Sequence, residues 1–182
     1  KRAFASGFGH VLDKQGNVIL KLGEKLVPHG QELRVADFSK SNPGNERIIR
    51  YNGHSEQVVL VGNSGKILNR FKLNTSPNNT GMETVYWNGT KNEAMLFNGG
   101  KLWKADGSSS VNLPGLPPET GNKRQGWYHC IPANITGDMR EEVIVYNPWN
   151  YEIYIFTQQS SKPKNFNGYK PSPRQYNARL MD

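Results

Sequence analysis

Oxygen-bearing side chains recur at regular spacing in one segment of this 182-residue sequence. Asn134, Asp138 and Glu142 stand four residues apart, and Asp37 with Glu46 forms a looser version earlier in the chain. A loop that presents such groups together can wrap Ca²⁺, which takes about six to eight oxygen ligands. Asp and Asn also favour turns because they bond their own backbone. The spacing predicts calcium at both loops, with simple turn formation as the alternative.

A second group combines a guanidinium, two aromatic rings and an imidazole just before an apolar strand. It consists of Arg124, Trp127, Tyr128 and His129. A guanidinium binds a carboxylate through two parallel hydrogen bonds, and an imidazole moves protons near neutral pH. Trp127 and Tyr128 offer flat faces for sugar rings. The alternative for each residue is core packing or a solvated surface.

The corresponding position earlier in the chain carries Glu32 and Arg34, again at the start of an apolar stretch. We expect Glu32 and Arg34 to contribute to substrate binding beside the later group.

The elements that position these residues form an internal repeat. Each unit reads as an apolar strand, a polar turn, a glutamate and a second apolar strand. The glutamates are Glu46, Glu93 and Glu142, with spacings of 47 and 49 residues. A hairpin with Asn, Gly, Asp or Pro in its turn follows each glutamate. Such turn residues favour tight hairpins, and Val, Ile, Tyr and Phe favour strands.

Repeats of this length with several strands each are typical of β-propeller blades. The sequence predicts an all-β fold with about three and a half four-stranded units, at residues 7–22, 28–73, 82–105 and 124–157. We expect blades over residues 1–160 and an extended tail over 161–182 that packs on the propeller. A larger closed ring would need a further N-terminal half or a second chain. A β-sandwich is the competing architecture.

Composition limits the classes of partner. The net charge of +8 favours polyanions, but the lysines and arginines are scattered. A nucleic-acid-binding protein usually concentrates them on one face, so we do not expect nucleic acid as the partner. An apolar run long enough to span a membrane does not occur in the sequence. The charge either attracts an acidic polysaccharide or is ordinary solubilising charge, and composition alone does not separate the two.

The last third of the chain resembles the C-terminal region of rhamnogalacturonan lyases. The stretches that carry this resemblance are WYHCIPA at 127–133, GDMREE at 137–142, YNPW at 146–149 and GYKPSPRQYNARLMD at 168–182. The resemblance implies a secreted, calcium-binding propeller that cleaves the pectin backbone by β-elimination at galacturonate. It implies Arg124 as the group that neutralises the substrate carboxylate and His129 or Tyr128 as the group that moves protons. Lys101 and Tyr154 are the next candidates for a catalytic role.

Two functional hypotheses follow. In the first, the protein is an extracellular polysaccharide lyase that generates an unsaturated uronate. In the second, it is a non-catalytic glycan-binding or adhesion propeller. The two differ in whether mixing with the polymer yields the unsaturated product.

Overall fold

The protein is an all-β chain in the part that its computed structural model describes. That part comprises residues 2–4, 7–51, 57–73, 82–90, 92–116, 129–146 and 151–158. Its fourteen strands form four small antiparallel sheets, and it contains no helix. A helix able to cross a membrane is accordingly missing from these ranges. The predicted tail over 161–182 lies outside the described residues.

Each sheet is a meander in which strands that follow one another in sequence are hydrogen-bonded neighbours. The first sheet comprises β1 (Arg2–Phe4), β2 (Val11–Asp13) and β3 (Val18–Leu20). The second comprises β4 (Gly30–Ala36), β5 (Glu46–Tyr51), β6 (Gln57–Val61) and β7 (Ile67–Lys72). The third comprises β8 (Glu83–Val85), β9 (Met95–Asn98), β10 (Lys101–Trp103) and β11 (Ser109–Asn112), and the fourth β12 (His129–Ala133), β13 (Glu142–Tyr146) and β14 (Ile153–Phe156).

The predicted hairpins are confirmed. The β9–β10 hairpin closes through Gly99 and Gly100, whose φ angles of 59° and 72° lie in the left-handed region that glycine adopts without steric cost. The register then places Asn98 opposite Lys101. The turn through Gly99 and Gly100 therefore sets the register of β9 and β10, the strands that it joins.

The strand count per sheet differs from the expectation. The described residues give sheets of three, four, four and three strands, where four-stranded units were expected. β1 precedes the first predicted unit, and β11 extends the third beyond residue 105. A β-sandwich has two packed sheets, whereas these strands divide among four.

Apolar side chains from both faces of the inner sheets build the core. Ile48 and Leu60 of the second sheet pack with Leu96 of the third. Phe97, on the opposite face of the third sheet, packs with Val143 of the fourth. The second sheet also buries its other face against the segment that connects it to the first sheet. Burial on both faces explains why the middle strands read as continuous apolar runs.

The first strands of the later sheets lie side by side. β8 contacts both β4 and β12. Within their own sheets, Arg34 pairs with Ile48, Glu83 pairs with Phe97, and Ile131 pairs with Ile144. Each of the three first-strand residues stands two positions before the last pair of its ladder. Arg34, Glu83 and Ile131 are thus equivalent positions on neighbouring first strands.

Candidate functional site

A charged cluster joins β4 to β8. The Nη2 atom of Arg34 lies 2.8 Å from Oε1 of Glu32 and 2.8 Å from Oε1 of Glu83. The backbone N–H of Met82 donates to the same Glu32 oxygen at 2.8 Å. All three charged side chains are partly buried. The cluster therefore links two sheets through groups that remain accessible from one side.

Arg34 and Glu32 were predicted to bind substrate, and the fold places them in contact. Glu32 and Arg34 alternate on β4 and so share a face, and the partner from β8 completes the group. The guanidinium fork, however, already binds two protein carboxylates. With one positive and two negative charges, the cluster as a whole does not attract an anion. Whether Arg34 binds substrate stays a prediction.

His129 begins β12, the next first strand. Its side chain is exposed, and its ring stacks on Tyr146 with centroids 5.4 Å apart and planes 25° from parallel. Because it stands two residues before Ile131, it occupies the position that Glu32 occupies relative to Arg34. This face of β12 points away from the third sheet, because Val143 and Val145, on the opposite face of the fourth sheet, pack against the third. The exposed imidazole is suited to proton transfer to a bound ligand.

The other candidate catalytic residues are not all brought to this place. Arg124, Trp127 and Tyr128 lie outside the described residues. Lys101 and Tyr154 lie on β10 and β14, the third strands of their sheets. The ring of Tyr154 packs against the core between the third and fourth sheets, and its hydroxyl donates to Glu152.

The loop between β12 and β13 is closed by its own hydrogen bonds. The Oδ1 atom of Asn134 accepts from the N–H of Gly137 at 2.7 Å. Asp138 accepts from the N–H of Arg140 at 3.0 Å and from its Nε at 2.8 Å. The Arg140 side chain lowers the pKa of the Asp138 carboxyl, mainly through this side-chain hydrogen bond. Asp138 therefore stays charged across the neutral range and is neutralised by an arginine.

Glu142 is the buried centre of that loop. Its Oε2 accepts from the N–H groups of Ile135 and Thr136 at 2.8 and 3.3 Å. Its Oε1 accepts from the hydroxyls of Thr136 and Thr157 at 2.9 and 3.3 Å. Ordinary hydrogen-bond donors thus occupy both carboxylate oxygens. These four donors stabilise the carboxylate, and the guanidinium of Arg140 also interacts with it electrostatically.

The loop between β4 and β5 is likewise held by a buried glutamate that accepts hydrogen bonds from loop residues. Buried Glu46 accepts from the N–H of Phe38 at 2.7 Å and from the Asn42 amide at 2.9 Å. Asp37 differs, because its Oδ1 atom is buried and has no hydrogen-bond partner. That single orphaned oxygen is the one local feature here that favours a bound cation or water.

These contacts bear on the predicted calcium. The carboxylate oxygens of Asp138, Glu142 and Glu46 accept from protein donors, so they are not arranged as a set aimed at one ion. Within the described ranges, three or more His, Cys, Asp or Glu side chains do not come together as a metal-binding group. Calcium stays a prediction, and the steps of the proposed reaction do not include a calcium ion.

Glu93 does not occupy the position of the other two repeat glutamates. Glu46 pairs with Ala36 and Glu142 with Ala133, each as the last pair of its ladder. In the third sheet, the last pair is Val85 with Met95. Glu93 instead lies nearer the surface, where it accepts from Thr90 and pairs with Lys40 at 2.8 Å.

A cleft between the second and third sheets was not foreseen. It encloses about 200 Å³, and its charged lining consists of Lys40, Glu93, Lys104 and Asp106. Three separate loops supply these side chains. The Ser108 hydroxyl lowers the pKa of Asp106 through a hydrogen bond. A sequence pattern cannot reveal such a site because its members are joined only by the packing of two sheets.

Comparison of this chain with known protein families, with curated proteins and with solved structures finds no match. The assignment of a function therefore depends on the sequence and on the geometry described above.

Proposed function

We propose that this protein contributes blades to a β-propeller that binds rhamnogalacturonan and cleaves it by β-elimination at galacturonate. Four consecutive meanders and the contacts of β8 with β4 and β12 support the propeller. In such an arrangement, first strands surround a central opening where ligands bind. The resemblance of the last third of the chain to rhamnogalacturonan lyases supports the reaction.

The observation that carries the proposal is the position of His129. Its imidazole is exposed at the start of a first strand, in the register position that Glu32 holds in the second sheet. A neutral imidazole is a suitable base near pH 7 because its ordinary pKa lies close to that pH.

The proposed reaction has three parts. Arg124 pairs with the C6 carboxylate, which makes the C5 proton more acidic by stabilising the charge that develops. His129 or Tyr128 removes the C5 proton as the C4–C5 double bond forms. The C4–O bond breaks, and the departing oxygen takes up a proton from the other of these groups or from water. Lys101 and Tyr154 are the alternatives for the proton-transfer roles.

The glycan-binding or adhesion propeller is the second candidate. The observation that favours it is that Arg34 already binds Glu32 and Glu83. This cluster is suited to holding β4 against β8 or to binding sugar hydroxyl groups. Carboxylates and guanidinium groups bind sugar hydroxyls by directional hydrogen bonds without any chemical step. This function predicts retention of the polymer and no unsaturated product.

A spectrophotometric assay separates the two functions. The protein is mixed with rhamnogalacturonan, with and without a chelator, and the ultraviolet absorbance of the unsaturated uronate is followed. We expect a steady rise, which the chelator reduces if the calcium prediction holds. His129→Gln should lower the rate by about 100-fold or more, the usual range for loss of a general base.

Lys14→Ala is the control variant for this assay, because Lys14 is exposed in the β2–β3 turn and has no part in the proposed reaction. It should retain a rate close to that of the unmodified protein. Absence of product with the polymer still retained would favour the binding protein. If His129→Gln keeps full activity and Lys101→Ala loses its activity, the proton transfer is assigned to Lys101 instead of His129.

A further inference from the structure

The cleft between the second and third sheets has a preformed shape, because hydrogen bonds on both of its sides hold the loops that line it. On one side, the N–H of Ala94 donates to the carbonyl of Asp37 at 2.9 Å. On the other side, the amide of Asn69 donates to the carbonyl of Ala105 at 3.0 Å. Each bond joins the second sheet to the third, so the walls of the cleft do not depend on a ligand for their positions.

The cleft combines an apolar lining with charged groups of both signs. Phe38, Ala94 and Met95 line it and are buried. Its four charged lining side chains, two positive and two negative, sum to zero. Its volume of about 200 Å³ lies below the range of about 300–1,000 Å³ that is usual for drug-sized ligands. The cleft therefore suits a small molecule that is partly apolar and carries no large net charge.

One charged pair in the cleft is already formed, and two further charged groups are available to a ligand. The Nζ atom of Lys40 lies 2.8 Å from Oε1 of Glu93. Lys104 acts electrostatically on Glu93 and Asp106, but its ammonium group makes no hydrogen bond or ion pair with the residues that the structure describes. Asp106 accepts from the N–H and the hydroxyl of Ser108 at 2.8 and 2.6 Å, both through Oδ1. The β10–β11 turn thus offers an ammonium group and a carboxylate oxygen two residues apart.

We infer that this cleft binds a small zwitterion, namely a free α-amino acid with an aliphatic side chain. The ligand carboxylate pairs with Lys104, the ligand ammonium group pairs with Oδ2 of Asp106, and the aliphatic side chain packs on Phe38 and Met95. The two charges of an α-amino acid are close together, as are the two protein groups on one turn. A zwitterion pairs with both groups at once through charge-assisted hydrogen bonds, whereas a simple anion or cation leaves one of them unpaired.

This cleft is separate from the site proposed for polysaccharide. The loops that line it follow the ends of β4, β8 and β10. Glu32 and His129 instead stand near the beginnings of first strands. A polyuronate carries charge of one sign only, so a cleft with equal numbers of positive and negative groups does not select it. The inference therefore does not rest on activity toward rhamnogalacturonan.

A titration of the ¹⁵N-labelled full chain with L-leucine, followed by amide chemical shifts, tests the inference. We expect a Kd of about 1 mM or lower, an ordinary affinity for so small a ligand, with the largest shifts at residues 93–95 and 104–106. Isopentylamine and 4-methylpentanoate are the matched probes, because the first lacks the carboxylate and the second lacks the ammonium group. Each should bind about tenfold more weakly than L-leucine, the usual effect of losing a hydrogen bond to a charged group.

Two variants assign the charges to their partners. Lys104→Ala should make L-leucine bind no better than isopentylamine, and Asp106→Asn should make it bind no better than 4-methylpentanoate. Lys14→Ala is the control, because Lys14 is exposed in the β2–β3 turn, and it should bind L-leucine as the unmodified protein does. Absence of shifts up to about 10 mM L-leucine would overturn the inference. Equal affinity for the three compounds, or shifts confined to residues away from the cleft, would also contradict it.

Discussion

Glu142→Ala is expected to lower the free energy of unfolding by about 3 kcal/mol or more. Each buried donor left without an acceptor costs about 1–3 kcal/mol, and this substitution orphans the N–H groups of Ile135 and Thr136. It also leaves the hydroxyls of Thr136 and Thr157 without their common partner. Urea denaturation followed by tryptophan fluorescence measures the change.

Two matched substitutions make the Glu142 result specific. Glu142→Gln should be milder, because the threonine hydroxyls can rotate to donate elsewhere while the amide oxygen still accepts from the backbone. Glu93→Ala should cost much less than Glu142→Ala, because an exposed ion pair contributes little to stability. Equal losses for Glu93→Ala and Glu142→Ala would contradict the assignment of different structural positions to the two glutamates.

Phe97→Ala is expected to lower the free energy of unfolding by about 3–5 kcal/mol, the usual cost of removing a buried phenylalanine ring. Phe97 is fully buried between the third and fourth sheets, where it packs with Val85, Leu102 and Val143. The cavity would lie at the sheet–sheet contact, so the same denaturation experiment reports on the stacking itself.

Tyr151→Ala serves as the comparison for Phe97, because the Tyr151 side chain is fully exposed and has no buried apolar area to lose. Its cost should stay below about 1 kcal/mol. A loss below about 1 kcal/mol for Phe97→Ala would mean that the third and fourth sheets do not depend on each other for stability.

The hairpins were the most predictable part of the fold. Gly99, Gly100 and Gly65 stand where the chain must take positive φ, and apolar strands flank them. β1 and β11 were missed because a strand of three or four residues with alanine or serine in it carries almost no pattern. Their positions are set by pairing with β2 and β10, which the sequence does mark.

The repeat was visible, but its exact register was not. Sequence reasoning aligned Glu93 with Glu46 and Glu142 because all three follow a polar turn. Strand pairing instead puts Met95 in that position, and Glu93 two residues earlier in the loop. Loop residues can be gained or lost without changing the strand pattern, so a shift of two positions leaves no trace in the sequence.

The sequence predicts which strands carry the site residues, but it does not predict which side chains contact each other. Glu32 and Arg34 were singled out because they stand at the start of an apolar strand, as the group from Arg124 to His129 does. That Glu83, 49 residues away in sequence, would complete the cluster follows only from the contact of β4 with β8. The loop oxygens of Asp138 and Glu142 were identified, but the sequence does not show that backbone and arginine donors occupy them.

Amide hydrogen exchange, measured with and without a rhamnogalacturonan oligosaccharide, tests the proposed binding site most directly. We expect added protection in the first strands of the second, third and fourth sheets, at residues 30–36, 83–85 and 129–133, because these strands are proposed to surround the binding site. Protection confined to the third and fourth strands of the sheets, or to the cleft beside Lys40 and Lys104, would contradict it.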